Sequence, residues 1–394
     1  MITSKKAAKL YRFIKEGHIK FDGSHDIYTP QPLAEEILGK LELTGDILVL
    51  FNVEFVISLV YTYGVDASRI TFYSDHPNKN KLLQKIGVTN YLDTLDNNMK
   101  FDVVIGNPPY QDDVAASGRK TATKPLWFDF VELSTKLVTK SGRIALITPS
   151  AWIQPTSKIH NTMCINNTVE LAKVFAKSPF RGVTTTASYW VMRLGTGSQT
   201  YPLVIDDKVF NVPTCGFAPA NPTQFGTTMS ILTKTINATG GKLNFVATQE
   251  HHTGSKADRL SANKTSTHIY PVFHTNTQTK WSDTKGTLHN THKVIVSKTG
   301  SLNGAFVDYS SSVSQIALAC VVNTQAEANI VLGVVQSKLY RFLVGAVRVN
   351  STIPSDLWRS LPAVDLTRSW TDQELYTHFN LTQEEVDLIE ATVK

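Results

Sequence analysis

Cysteine is scarce in this 394-residue chain: Cys164, Cys215 and Cys320 are odd in number and far apart. That excludes a disulfide framework and a zinc site built on paired cysteines, and points to a reducing, cytoplasmic setting. Long apolar runs are also missing. A membrane-spanning helix needs about 18 uninterrupted apolar residues, and the best candidate, 47–63, is broken by Asn52 and Glu54. The first twenty residues are basic but lack the apolar stretch and small-residue cleavage site of a signal peptide. Charged residues make up only 18% of the chain and apolar residues 42%, so the signature of disorder is absent. The length allows two or three domains.

What is present is ordered along the chain. Short apolar runs at 46–51, 69–74, 101–105 and 143–148 read as buried strands. Helical patterns lie between them at 32–41, 54–63, 79–86 and 126–138. In the last of these Leu126, Phe130, Leu133 and Leu137 recur at helical spacing. Two more strands are expected at 169–175 and 187–194. Alternating strands and helices predict an α/β fold with a doubly wound, mostly parallel sheet. The pattern breaks at Gly195-Thr-Gly-Ser, where a domain boundary is expected. The division predicted is 1–199, 200–360 and a helical segment 361–394. Two helix starts in that segment carry capping boxes, Thr371 with Glu374 and Thr382 with Glu385.

The net charge of +6 is mild, but its distribution is uneven. Residues 251–300 hold seven Lys or Arg against two Asp, and six of the eleven histidines. Lys256, Arg259, Lys264, Lys280, Lys285, Lys293 and Lys298 are interleaved with Tyr270, Phe273 and Trp281. They read as contacts to DNA phosphates, with a plain solvated surface as the alternative. His251, His252, His268 and His274 lack a metal-ligand spacing, so they are assigned no metal.

One segment carries chemistry. Phe101–Tyr110 (FDVVIGNPPY) is a buried strand ending in Asn107-Pro108-Pro109-Tyr110. Ligands of open α/β sheets bind beyond the carboxyl ends of the strands. Two prolines there make a rigid, extended turn. Asn107 offers an amide oxygen, Pro108 a carbonyl and Tyr110 a flat face. Two acceptors and one aromatic suit a planar ring bearing an exocyclic amine.

This segment resembles the catalytic motif of N6-adenine DNA methyltransferases. The chain as a whole resembles the gamma-class enzymes of restriction–modification systems, including phage-encoded relatives. The resemblance implies a Rossmann-like methyltransferase sheet followed by a mixed α/β target-recognition domain. It also implies S-adenosylmethionine as methyl donor, double-stranded DNA as partner and a bacterial or phage-infected cell as setting. By the same resemblance Tyr28, Thr29 and Pro30 flank the donor's methionine, Asp75 holds its ribose and Asp93 lies near its adenine. The target adenine is flipped out of the duplex. Asn107 and the Pro108 carbonyl then accept from its amine, and Tyr110 and Phe180 (in Ser178–Gly182) stack on its faces. No metal is needed.

The chain departs from the family at one place. The family's glycine-rich turn after the first strand is missing, and no glycine occurs between Gly45 and Gly64. Either Asn52 takes a left-handed turn and Glu54 the donor's amine, or Phe51 and Phe55 fill the donor pocket. The first case gives an adenine-N6 methyltransferase, complete in itself or completed by a partner subunit. The second gives an inactive methyltransferase-fold DNA-binding protein.

Overall fold

The computed structural model describes residues 5–15, 27–74, 79–110, 125–180, 185–299, 304–349 and 352–393. The chain forms two compact units, Met1–Gly216 and Phe217–Lys394.

The first unit opens with α1 (Lys5–Lys15) and α2 (Gln31–Leu38). It continues as β1 (Ile47–Leu50), α3 (Val53–Tyr61), β2 (Ile70–Tyr73), α4 (Asn80–Ile86), β3 (Asn90–Leu92) and β4 (Phe101–Gly106). Then come α5 (Leu126–Leu137), β5 (Val138–Pro149), β6 (Asn167–Val174), β7 (Ala187–Leu194), β8 (Thr200–Ile205) and β9 (Lys208–Pro213). All nine strands share one sheet, in the order β3-β2-β1-β4-β5-β7-β6-β8-β9. The first five are parallel, and β7 runs antiparallel between β5 and β6. This is the Rossmann-like, doubly wound arrangement that the alternation predicts. All four residues of β1 are buried, which is why it reads as an unbroken apolar run. Because β1 to β4 are parallel, their carboxyl ends share one edge of the sheet. Phe51–Asn52, Ser74, Asp93 and Asn107–Tyr110 follow directly from those ends.

The first unit runs on past residue 199. β8 pairs with β6 and β9 with β8. The ring nitrogens of buried His160 lie 2.8 Å from the Trp152 carbonyl and 2.7 Å from that of Thr214. Gly195–Ser198 is therefore a connection between two strands of one sheet, β7 and β8, and not an interdomain linker. Gly195 has φ +125°, and a Cβ on Gly197 would come within 2.0 Å of the Cys164 carbonyl oxygen. The three cysteines are free; Cys164 and Cys320 are buried and Cys215 is exposed.

The second unit contains α6 (Phe225–Lys234), β10 (Phe245–Val246), β11 (Leu260–Ser261), β12 (Tyr270–Thr275) and β13 (Gln278–Ser282). β14 (Lys293–Ser297), β15 (Phe306–Asp308), β16 (Ser312–Val313) and β17 (Ala317–Val321) follow. The chain ends in α7 (Gln325–Gln336), α8 (Lys338–Val347), α9 (Ser355–Ser360), α10 (Asp372–His378) and α11 (Gln383–Thr392). Its strands form two four-stranded sheets, β10-β17-β14-β15 and β11-β13-β12-β16. Leu375 and Ile389, from the last two helices, share one core with Val294, Leu318, Val331, Leu343 and Trp358. Residues 361–394 are thus part of this unit's core and not a separate segment. Among the described residues no single helix is long and apolar enough to cross a membrane.

Both expected capping boxes are formed. The amide and hydroxyl of Thr371, with Arg368, hold the Glu374 carboxyl down at about 2. A carboxyl depressed when folded contributes stability above its unfolded value near 4.5, and loses it as pH falls towards 2. An NMR titration should place the Glu374 midpoint near 2, and Thr371→Ala should move it back towards the ordinary carboxyl range.

Candidate active site

Asn107 sits immediately after β4. Gly106 permits this, because a Cβ there would lie 2.5 Å from the Leu50 carbonyl oxygen. β4 therefore runs close against the end of β1, and Asn107 is only 1% exposed. Its backbone N–H donates to Asn52 Oδ1 at 2.9 Å. Its side-chain Oδ1 and Nδ2 are both buried without a hydrogen-bond partner among the described residues. The Tyr110 hydroxyl and Thr29 Oγ1 are in the same condition. Burial raises the Tyr110 phenol well above its ordinary range. Leaving a buried polar group unpaired costs roughly 1–3 kcal/mol, so such groups call for an explanation. Three of them occur in motif positions that follow β4 or precede α2.

The turn after β1 is two residues long. Phe51, not Asn52, takes the left-handed conformation, with φ +68°. A bulky residue resists that region, at a cost of roughly 1–2 kcal/mol. Phe51 is held there by two hydrogen bonds and two ring contacts. Its N–H donates to the Tyr73 carbonyl at 2.8 Å, and the buried Lys79 ammonium donates to its carbonyl at 2.7 Å. Its ring stands edge-on between Tyr73 and Phe130, at 5.3 and 5.0 Å. Asn52 is extended (φ −100°) and precedes α3 without a side-chain cap bond. Its Nδ2 donates to the Ile27 carbonyl at 3.0 Å while its Oδ1 accepts from Asn107. One side chain thus ties the 27–30 segment, β1 and β4 together. The sequence reading did not assign this role; its only signal was an asparagine where the family has its glycine turn. Glu54 Oε1 accepts from the Thr29 N–H at 3.2 Å. Phe55 is fully buried in the unit's core.

The other expected donor contacts are distributed as follows. Tyr28 is half-buried and Pro30 precedes α2, its carbonyl accepting from Leu33 and Ala34. Asp93 is exposed at the end of β3. Asp75 lies outside the described residues, as do Arg181 and Gly182. Phe180 does not offer a ring face. It is 5% exposed, belongs to the unit's core and stands edge-on to Phe175 at 6.2 Å. The apolar surroundings of β7 outcompete the role read from its loop.

Residues 60–179 match the Eco57I restriction-modification methylase family. The resemblance to restriction–modification methyltransferases is thereby borne out: the chain is restriction–modification methyltransferase-like. The matched stretch contains Asn107–Tyr110 and begins after the Phe51–Asn52 turn, so the departure from the family lies outside it. No curated protein matches the chain in sequence. Among solved structures, it is similar to a modification subunit of a putative type I restriction enzyme from Vibrio vulnificus YJ016, at 13% identity over 50% of this chain and 51% of that one (TM-score 0.39). It is similar to a type I methyltransferase subunit from Streptococcus thermophilus at 13% identity, over 52% and 54% (TM-score 0.37). It is also similar to the type IIG restriction endonuclease BpuSI at 11% identity, over 98% and 62% (TM-score 0.41). The chain spans about half the length of the two type I subunits.

The basic residues of the second unit divide. Lys256, Arg259, Lys264 and Lys285 are exposed, and Lys280 is half-buried. Lys264 stands 5.4 Å over the Trp281 ring. Lys298 is partly buried, and burial, then Arg359, lowers its pKa. Lys293 is fully buried. Its ammonium lies 2.8 Å from the Asp308 carboxylate and donates to the Thr291 and Tyr309 carbonyls. It is a structural cation and not a DNA contact, because its strand position in β14 points it into the fold.

Two tests follow from these contacts. Asn52→Ala strands the Asn107 N–H and the Ile27 carbonyl, and should lower the unfolding free energy by about 2 kcal/mol. Asn107→Ala removes two unpaired atoms and should leave stability level or raised; urea unfolding of both variants compares them. Lys293→Ala breaks a buried pair and should cost about 3 kcal/mol or more. Joint neutralisation of exposed Lys256, Lys264 and Lys285 should instead leave unfolding unchanged and flatten the salt dependence of duplex binding.

Proposed function

We propose that the chain is a site-specific DNA adenine-N6 methyltransferase acting on a flipped base, with S-adenosylmethionine as donor. The observation that carries this reading is the Asn107 carboxamide, 1% exposed with neither polar atom paired among the described residues. A flipped adenine offers the N–H groups that its Oδ1 lacks. Asn107 Oδ1 and the Pro108 carbonyl accept from the amine and draw its lone pair out of conjugation with the ring. Pro108 and Pro109 hold the turn rigid, and Tyr110 lies against one face of the base. The unpaired, buried Thr29 hydroxyl fits the polar end of a donor, and Thr29 with Asp93 would hold it. When bound, the donor supplies an electrophilic methyl group; the chain's own part is positioning.

A second reading is favoured by the Phe51–Asn52 turn. It lacks the glycine backbone that a close donor approach uses, and Phe51 packs inward from it. In that reading the chain binds DNA through the methyltransferase fold without transferring methyl groups.

Labelled S-adenosylmethionine with unmethylated genomic DNA separates the two. The enzyme should deposit label as N6-methyladenine, and Asn107→Ala should abolish incorporation while leaving donor affinity nearly unchanged, since the amide acts on the base in the transition state. Absence of incorporation, together with no heat of donor binding with or without DNA, would leave the binding-only reading.

A further inference from the structure

We propose that the β12–β13 hairpin of the second unit is a base-reading ribbon that enters the major groove of duplex DNA, with Gln278 as a specificity-determining residue. The inference rests on the proposed DNA-binding function and adds where sequence is read.

The hairpin turns through Asn276-Thr277, with Thr275 paired to Gln278. Its neighbours in the sheet stop short of the tip. β11 reaches only Ser282 and Trp281, and β16 only Val272 and Phe273. The end of the hairpin is therefore a two-stranded ribbon with no strand beside it among the described residues. A ribbon of that kind fits the major groove, which is about 12 Å wide. Asn276, Thr277, Gln278 and Thr279 are all exposed. Thr275 and Thr277 hydroxyls lie 3.2 Å apart and Asn276 rests against Gly304, so the turn is braced. The Gln278 side chain makes no hydrogen bond among the described residues. An exposed run of hydroxyl and carboxamide groups, without an acid or an apolar side chain, is the donor-and-acceptor chemistry that base edges match.

The surroundings supply the electrostatics. Lys280 follows Gln278 by two residues and shares its face of the strand. Lys256, Arg259, Lys264 and Lys285 are exposed on the segments before and after the ribbon. Of the acids on these segments, Glu250 is engaged by the Thr287 N–H and hydroxyl and Asp283 by the Thr284 hydroxyl, while Asp258 is exposed between Lys256 and Arg259, so cations outnumber acids. Cations of this kind position a protein on phosphates, and the carboxamides at the tip read bases. Gln pairs bidentately with adenine N6 and N7, whereas a carboxylate accepts from cytosine N4.

The test is selection of bound sequences from randomised duplexes by the full chain and by Gln278→Ala and Gln278→Glu. The wild type should select a site containing a required A·T pair. Gln278→Ala should relax that pair, losing roughly 5- to 150-fold in discrimination there, and Gln278→Glu should shift it to cytosine. Unchanged preferences in both variants, or weaker binding to all sequences alike, would overturn the ribbon while leaving the proposed function standing. Absence of duplex binding by the wild type would overturn both.

Discussion

The close run of β1 and β4 at their carboxyl ends is the constraint on which the candidate site depends. Register places Leu50 beside Gly106, and the absence of a side chain at Gly106 lets the strands continue to their last residue in contact. Asn107 is thereby delivered to the edge of the sheet already buried, with its N–H aimed at Asn52. Any larger residue at 106 would meet the Leu50 backbone before Asn107 could reach that position. The same register sets the short turn after β1, so the Asn107–Tyr110 segment and the departure from the family are two ends of one contact.

The polar groups at this edge fall into two kinds. Asn52, Lys79 and the Phe51 amide are paired with backbone, and hold an unfavourable turn in place. The side-chain polar atoms of Asn107, Thr29 and Tyr110 are buried and have no partner among the described residues. A fold optimised for stability alone would remove the second kind, since replacing both partners of a buried pair by apolar groups is nearly neutral while an orphaned group is costly. Their presence beside a well-paired framework is what supports the proposed function, in which a ligand brings the missing partners.

The second unit separates charge by depth. Lys293 and Lys280 come from the same basic segment, yet one closes an ion pair inside the fold and the other lies half-buried on the β12–β13 hairpin. A buried pair of this kind is expensive to break and contributes little to an external field. The exposed cations are the ones that attract a polyanion.

The amino-acid sequence by itself determined the sheet. Strands buried on both faces leave continuous apolar runs, so β1, β4 and β7 were legible, with β2 as a short run that buries every second residue, and the two prolines after Asn107 marked the motif wherever the chain placed it. The weak elements were not legible: β3 is short and largely exposed, β8 buries only every second residue, and β9, at the sheet's edge, buries only Val212. The site beyond Asn107–Tyr110 was decided only by tertiary structure. Which residue took the left-handed turn depended on Lys79 and the rings of Tyr73 and Phe130, none of them adjacent in sequence. The bridge through Asn52 joined residues 25 and 55 positions away. Phe180 and Lys293 matched a motif loop and a charge cluster, but local pattern does not carry burial. Burial is a property of what the rest of the chain packs against a residue, and it turned one aromatic and one cation inward.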